Sequence, residues 1–464
     1  MPELTTDEQL LDSLKLYTRD TATPDFELLR NLQSHILVHH GRDYAWHVLL
    51  KFDKANKEEW RKSIAGYAAG ITAAFKQHVD IAKRKLDKTH DGGIVKGLYL
   101  SMSGYKALGL DDIWAAQENN AFAQGMAKRA NMLGDPVSEE WEVQYARGID
   151  LMILLADDKQ EDLEMAMEEV KKVFAGCCSA IDVQKGEMLR NDAEEGIEHF
   201  GYVDGISQPQ FLASYQPGTV YNDAARTDIL LVEDPGRLKG NCYGSFLVFR
   251  KLEQNVKGFK EREEELGAIL FPNLPKGEED QAEIAGAYVV GRFENGTPVT
   301  MHNEEDDKNT GNEFDYTNDT AGNKCPFFSH IRLVNPRSTV SEIREAIPGY
   351  EAPQRITRRG IPYDEAGRNG DLDKEPETGV GLLFMAFQSS IENGFEKMQR
   401  SANRADGIIG HHITNGNQQW PISWGRDKLR LCGFSFSGFV TLKGGEYFYA
   451  PSIPFLLQLA DGIK

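Results

Sequence analysis

A single histidine set against aromatic residues gives the first chemical suggestion in this chain. The run Cys325-Pro-Phe-Phe-Ser-His330-Ile-Arg332 places His330 behind Phe327 and Phe328, and Asn335, Pro336 and Arg337 follow within seven residues. An imidazole on an apolar wall can offer a neutral nitrogen to a metal, and an arginine a few residues on can meet an anion beside it. A satisfied core histidine is the commoner use of such a residue. No second His, Cys or carboxylate stands at close metal-ligand spacing, which argues against a bare zinc or non-haem iron site. A porphyrin brings four nitrogens of its own and asks the protein for one axial histidine, which this segment can provide.

Three further segments carry groups that could work opposite such a ligand. In Gly201-Tyr-Val-Asp204-Gly205-Ile206-Ser207-Gln-Pro209, glycines flank one carboxylate and let the backbone turn close to a ligand. Val203 and Ile206 surround Asp204 with apolar groups, so burial is expected to raise its pKa towards a proton-shuttling range. An ordinary Asp-Gly turn is the commoner origin of such a segment. Arg358-Arg359-Gly360-Ile361-Pro362-Tyr363 holds two permanent cations, and neighbours on an extended chain point to opposite sides. At most one of them should face a buried site, where it could stabilise a developing oxyanion. In Gly381-Leu382-Leu383-Phe384, Leu382 and Phe384 share one strand face and could wall a pocket or belong to a general core.

These groups sit in an acidic globular chain of 464 residues, with 40% apolar and 27% charged content and a net charge of -20. That charge disfavours nucleic acid and anionic membranes as partners, since both select basic patches. The opening Met-Pro-Glu-Leu-Thr-Thr-Asp-Glu lacks the basic and apolar stretches of a secretory signal, and no apolar run of about 18 residues occurs. The five cysteines form no C-x-x-C pair and are odd in number, which fits reduced thiols and a cytoplasmic protein.

Hydrophobic periodicity then supplies the elements that must position the chemistry. A helix is expected over 26–40, ending near His39 and His40, which read as solvent residues. Strands are expected at Tyr44 to Phe52, Leu98 to Met102, Leu151 to Leu155 and 178–188, with helices over 56–86, 103–109 and 160–174. Strand–helix–strand–strand–helix–strand is the ferredoxin-like pattern. The Pro- and Gly-rich region from 209 to 243 reads as a connection. The pattern then repeats loosely: a strand at Ser245 to Phe249, a helix at Gln254 to Leu266, a polar loop from Thr300 to Lys324, a strand at Gly381 to Gln388 and a helix over 390–401. A closing hairpin, Phe439 to Leu442 and Tyr447 to Tyr449, is expected to turn at Gly444-Gly445. The domains expected are 1–210, with Asp204 at its end, a connection over 211–243, and a second half over 244–464.

Taken together, these segments resemble the dye-decolorising peroxidase family over most of the chain and in the right order. Gly201 to Gly205 is similar to its G-x-x-D-G motif, and Cys325 to Arg337 to its proximal histidine segment. Arg358 to Tyr363 resembles its distal arginine segment, and Gly381 to Phe384 its pocket strand. The ending, Phe439-Val-Thr-Leu-Lys-Gly-Gly and Phe448-Tyr-Ala-Pro-Ser, is family-like as well.

The resemblance implies an α+β fold in which two ferredoxin-like domains pack as a barrel, with one haem b per chain in the C-terminal half. His330 would be the iron ligand. Asp204 and Arg358 would be catalytic on the opposite face. Gly205, Ile206 and Ser207 would lie along the haem edge. Asn335, Pro336 and Arg337 would contact the haem, and Leu382 and Phe384 would shape the distal wall. The implied activity is reduction of hydrogen peroxide through a ferryl porphyrin radical, with oxidation of bulky organic reductants such as anthraquinone-type dyes and phenolics. An aspartate as proton shuttle would favour acidic operation. Oxidation at a surface Tyr or Trp is open, with 16 Tyr and 6 Trp to choose from. So is homo-oligomerisation.

Two departures stand out. His330 and Arg358 lie farther apart than in compact members, and an insertion around Ile347-Pro-Gly-Tyr350 suggests the larger subgroup with extra loops. Gly360 stands where compact members carry Asn. A carboxylate partner for His330 is not evident, Glu392 being the one candidate. Two other readings use less of the sequence. A non-enzymatic haem carrier or iron-handling protein would need His330 alone, and a haem-free ferredoxin-like scaffold would need none of these residues.

Overall fold

A computed structural model describes residues 4–461, apart from 12–15, 18–21, 24, 54–55, 118–119, 210, 212–226, 237–239, 273–280, 307–310, 313, 336, 338–354, 404–417 and 422–430. Pro336, the insertion at Ile347 to Tyr350 and much of the expected connection therefore lie outside the described residues.

The apolar runs form one antiparallel sheet. Its main strands are β1 Tyr44–Phe52, β2 Val95–Ser101, β3 Leu151–Asp157, β4 Cys178–Glu187, β5 Tyr243–Gln254, β6 Thr357–Arg358, β7 Ile361–Asp364, β8 Val380–Gln388 and β9 Val440–Ala450. The order across the sheet is β6-β8-β5-β9-β2-β3-β1-β4, with β7 also on β8. Each half thus runs second, third, first, fourth strand, the ferredoxin-like arrangement made twice. The halves join where β9 meets β2, at Phe448↔Ser101 and Tyr449↔Leu100.

β3 is buried at all seven positions, because both its faces are covered. The sheet curls on itself. A Cβ on Gly186 of β4 would lie 2.3 Å from Ile361 Cγ2 of β7, so only glycine lets the far edges come together. Inside the curl, His47 of β1 reaches Met385 of β8 at 3.0 Å. The result is an α+β barrel of two ferredoxin-like halves.

Four local expectations are corrected. The helix at 26–40 is only Phe26–Asn31; beyond it the Gln33 side chain bridges Leu98 O and Pro451 O, both at 2.8 Å, and holds the chain open. The stretch 56–86 is two helices, Lys57–Ala68 and Ala74–Leu86. It breaks because Thr72 N–H donates to Lys96 O in β2 at 3.0 Å. The closing hairpin is instead one strand, β9, eleven residues long. Gly444 and Gly445 serve close packing within it: a Cβ on Gly444 (φ +141°) would lie 2.4 Å from the Tyr145 ring, and one on Gly445 2.3 Å from Phe249 O. Finally, the helix Gln281–Val290 was not anticipated; it packs on Val256–Leu270 beside the C-terminal half of the sheet.

Candidate active site

Between those helices and the strand ends of β5, β8 and β9 lies a cavity of ≈ 370 Å³. Strand alternation aims Leu382 and Phe384 of β8 into it, while Leu383 and Met385 between and beyond them are fully buried in the barrel. Val289, Val290, Phe293, Phe314, Phe395 and Phe439 complete much of the apolar wall.

His330 begins the short helix His330–Val334. Ser329, just before it, is tied down by its Oγ donating to Tyr288 O at 2.5 Å. The imidazole faces the cavity, and no residue among those described hydrogen-bonds its ring. Burial, reinforced by the Arg358 charge, lowers its pKa to about 4, so a nitrogen lone pair stays free well into acid. Phe328 packs on Trp420, but Phe327 is 53% exposed and lies under Arg332, so only one of the aromatic pair backs the histidine. Arg332 itself pairs with Asp319 at 2.9 Å and fixes the preceding loop. Glu392 accepts from Ala121 N–H at 2.5 Å, does not line the cavity, and is thus no partner for His330.

Asp204 and Arg358 line the same cavity. Arg358 Nη1 donates to Asp204 Oδ1 at 2.6 Å and Nη2 to Ile206 O at 2.8 Å. Gly205 N–H also donates to Asp204 Oδ1, at 2.6 Å. Gly205 has φ +85°, which suits glycine, and Ser207 takes φ +67°, a strained value for serine. Ile206 and Ser207 line the cavity; Gly205 turns the loop and does not.

Asp204 corrects the expected pKa direction. Burial alone would raise its pKa, but the Arg358 guanidinium and the Gly205 N–H more than offset this, and the carboxyl titrates below its ordinary range. Arg359, the alternate neighbour, points away and donates to His35 O at 2.8 Å and Ile36 O at 3.0 Å.

Asn335 and Arg337 line the cavity. Arg337 is 3% exposed, donates to Phe314 O at 2.9 Å and meets Ser207 Oγ at 3.2 Å. Arg292 and Arg355 join it along the lining. Burial and the nearby Arg337 charge lower Arg292 to about 9, and no carboxylate among the described residues pairs with it. Buried like charges held this close are built to receive an anion.

Sequence reasoning missed Arg292, and it misplaced His39 and His40. These two pack with His35 in a cluster, ring centroids 4.1 to 5.2 Å apart. His40 is 6% exposed. His39 bonds to the Gly360 backbone and lies near enough to Asp204 to feel its charge. An imidazole therefore stands near the position where compact members carry Asn. Nothing local in the sequence signalled this, because His39 and Asp204 are brought together by the barrel.

Residues 31–189 match the model of the DyP dimeric alpha+beta barrel domain. Over an alignment 480 positions long the chain is 34% identical to the multifunctional dye peroxidase DyP2 of Amycolatopsis sp. (strain ATCC 39116 / 75iv2), covering 96% of this chain and 98% of that one. The chain belongs to the dye-decolorising peroxidase family. It is accordingly a peroxidase, an oxidoreductase acting on hydrogen peroxide. Among solved dye-decolorising peroxidases, the DyP-type enzyme of Anabaena sp. superposes with a TM-score of 0.84 at 34% identity, covering 98% of this chain and all of that one. A complex of such a peroxidase with 2,6-dimethoxyphenol superposes with a TM-score of 0.72 at 27% identity, covering 93% and 99%. Among the described residues no helix is long and apolar enough to cross a membrane.

The family implies haem, and the cavity's chemistry fits one. No group of three His, Cys, Asp or Glu among the described residues could hold a metal ion alone, so an iron here would need further ligands from a cofactor. His330 offers a ring nitrogen with no hydrogen bond among the described residues, apolar side chains supply the walls, and the guanidiniums of Arg292 and Arg337 suit propionates.

Proposed function

We propose that the cavity holds one haem b per chain, in which His330 would hold the iron and Asp204 and Arg358, lining the same cavity, would act on peroxide. Arg337 and Arg292 would take the propionates, Asn335 and Ser207 would border the ring, and Leu382 and Phe384 would form the wall on the Asp204 side. The observation that carries this reading is that a partner-free imidazole and an ion-paired acid line one apolar cavity. When bound, haem supplies an iron that accepts peroxide and a ring that stores oxidising equivalents.

The rest falls to side chains. Asp204 is charged at working pH, so it can take the proton from one peroxide oxygen and hand it to the other, letting the leaving fragment depart as water. Arg358 holds Asp204 in place and faces the charge that develops as the O–O bond breaks.

The reductant in this reading is a bulky organic molecule, a dye or a phenol, as the relatives' names indicate for them. A cytoplasmic location is supported by the five free cysteines, of which three are buried. A carrier of haem or iron would have no use for the Asp204–Arg358 pair.

The test is an absorption spectrum of the purified protein, followed by stopped-flow mixing with peroxide. The reading requires an intense Soret band, lost in His330→Ala, and its rapid change on mixing. A protein without the band, or one whose band is indifferent to peroxide, refutes it.

A further inference from the structure

The strand that carries Arg358 lies at an edge of the sheet. β6 and β7 keep one register on β8, from Thr357↔Phe387 through Ile361↔Leu383, with a break at Arg359 and Gly360. Arg359 N–H donates to Met385 O at 2.7 Å, so the Arg358 N–H and the Gly360 carbonyl on either side of it point away from β8. An edge strand leaves such groups without a neighbouring strand. Here side chains take them. Gln208 Oε1 accepts from Arg358 N–H at 3.1 Å, and His39 bonds to the Gly360 backbone. The latter bond favours the charged ring, which identifies the Gly360 carbonyl as its acceptor.

Both nitrogens of His39 serve backbone. Gly41 N–H donates to Nδ1 at 3.0 Å, which places the proton of the neutral ring on Nε2, the atom left to donate to Gly360 O. The rings of His35 and His40 pack around it, and their Nδ1 atoms accept in the same way from His40 N–H at 3.1 Å and Arg42 N–H at 3.0 Å. Arg359 and Asp204 are the other charged groups that act on the His39 ring. Burial and the Arg359 charge bring His39 down to about 4, so the ring is neutral and keeps both bonds above that pH. It has no lone pair left with which to take a proton from peroxide.

We propose that His39 is a positioning residue for the peroxide reaction: with Gln208 it pins the open edge of the strand that carries Arg358, and so fixes where the guanidinium stands. This rests on the haem peroxidase reading. One loop grips Arg358 twice, its side chain through Asp204 Oδ1 and Ile206 O and its N–H through Gln208. Loop and arginine could therefore drift together. The His39 bond to Gly360 fastens them to the N-terminal half of the barrel, beside the two bonds that Arg359 makes to His35 O and Ile36 O.

The experiment compares His39→Phe, which loses both bonds, with His39→Gln, which keeps a donor for Gly360 O and cannot titrate. Hydrogen–deuterium exchange of the haem-loaded proteins reads the clamp without turnover. Exchange should quicken in peptides covering 357–363 in His39→Phe and return to the wild-type rate there in His39→Gln. Stopped-flow mixing with hydrogen peroxide should give a rate constant about 10- to 100-fold lower in His39→Phe, the loss that a misplacement of about 1 Å brings. His39→Gln should recover most of it and run parallel to wild type from about pH 5 to 7, since the bond matters and the titration of the ring does not. Unchanged exchange at 357–363 in His39→Phe overturns the clamp. A His39→Gln as slow as His39→Phe, or one whose pH profile departs from wild type, also overturns it, because the imidazole would then be moving protons itself. Should His39→Phe fail to fold, Gln208→Leu removes the other pin and leaves the imidazole in place: unchanged exchange and rate there refute the pinned edge. A wild-type Soret band indifferent to peroxide overturns the peroxidase reading beneath, whereas the exchange result judges the clamp by itself.

Discussion

Replacing Asp204 by Asn removes the proton acceptor while changing the site's shape little. The amide oxygen can still accept from Gly205 N–H and Arg358 Nη1, both 2.6 Å from Asp204 Oδ1. What it cannot do is take the peroxide proton. A positioned acid or base contributes about 10²–10⁴ in rate, so the second-order rate constant for peroxide should fall by that factor, about 3–5 kcal/mol in barrier height.

Stability should change far less. The Asp204 and Arg358 side chains are 30% and 36% exposed, so solvent in the cavity screens their pair, and its loss should cost no more than about 1 kcal/mol. Stopped-flow absorbance at the Soret maximum measures the rate, and the resting spectrum confirms haem uptake. The pH profile adds a second criterion. The Asp204 carboxyl lies below its ordinary 3.8, so the charged, active form persists in acid. The wild-type rate should therefore hold down to about pH 4, and the variant should show no acid limb at all. If Asp204→Asn reacts within about threefold of wild type, a spread that catalytic proton transfer exceeds, the proton role assigned to Asp204 is wrong.

Arg358→Leu should slow peroxide cleavage by about 10²–10³ while leaving haem bound, because its charge faces the reacting oxygens rather than the iron; the same stopped-flow assay reads it. Arg337→Leu should instead weaken haem retention, measured by transfer of haem to apomyoglobin, with a smaller effect on peroxide cleavage. Thermal stability should rise with pH between about 4 and 6.5. Burial holds His35, His39, His40, His47, His78, His199 and His330 below 6.5 in the folded state, so the unfolded chain binds more protons across that window and acid favours it. Glu198 and Glu263, both raised to about 7 chiefly by burial, act in the opposite sense, as do Asp157, Glu187, Asp234 and Glu446, which burial also raises. They are outnumbered, so a melting temperature that fell steadily from pH 4 to 6.5 would contradict the assignment. Gly444→Ala should destabilise the fold by about 1–3 kcal/mol in denaturant titration, since its Cβ would meet the Tyr145 ring at 2.4 Å in a φ that disfavours side chains.

Much of this protein was legible in its sequence, and for a local reason. Apolar runs such as Tyr44–Phe52, and Leu151–Asp157 with its consecutive apolar residues, bury themselves wherever the chain takes them, so the succession of strands and the doubled ferredoxin-like pattern could be read without contacts. Glycines around Asp204, adjacent arginines at Arg358 and Arg359, and the alternation of Leu382 with Phe384 are equally local, and they fixed which residues could share a site. The hairpin at Gly444-Gly445 failed because a glycine pair that signals a turn is also what a strand needs where another backbone presses close. Tertiary structure alone decided the rest. Asp204 lies below the carboxylate range because Arg358, a strand from the other half, is folded against it. His40 is buried and His39 half-buried because they pack with His35, whose ring meets Phe387 of β8 and whose carbonyl accepts from Arg359. A sequence records side chains and their spacing along the chain, whereas charge–charge and proton-transfer distances are set by which distant segments the barrel brings within three ångströms of each other.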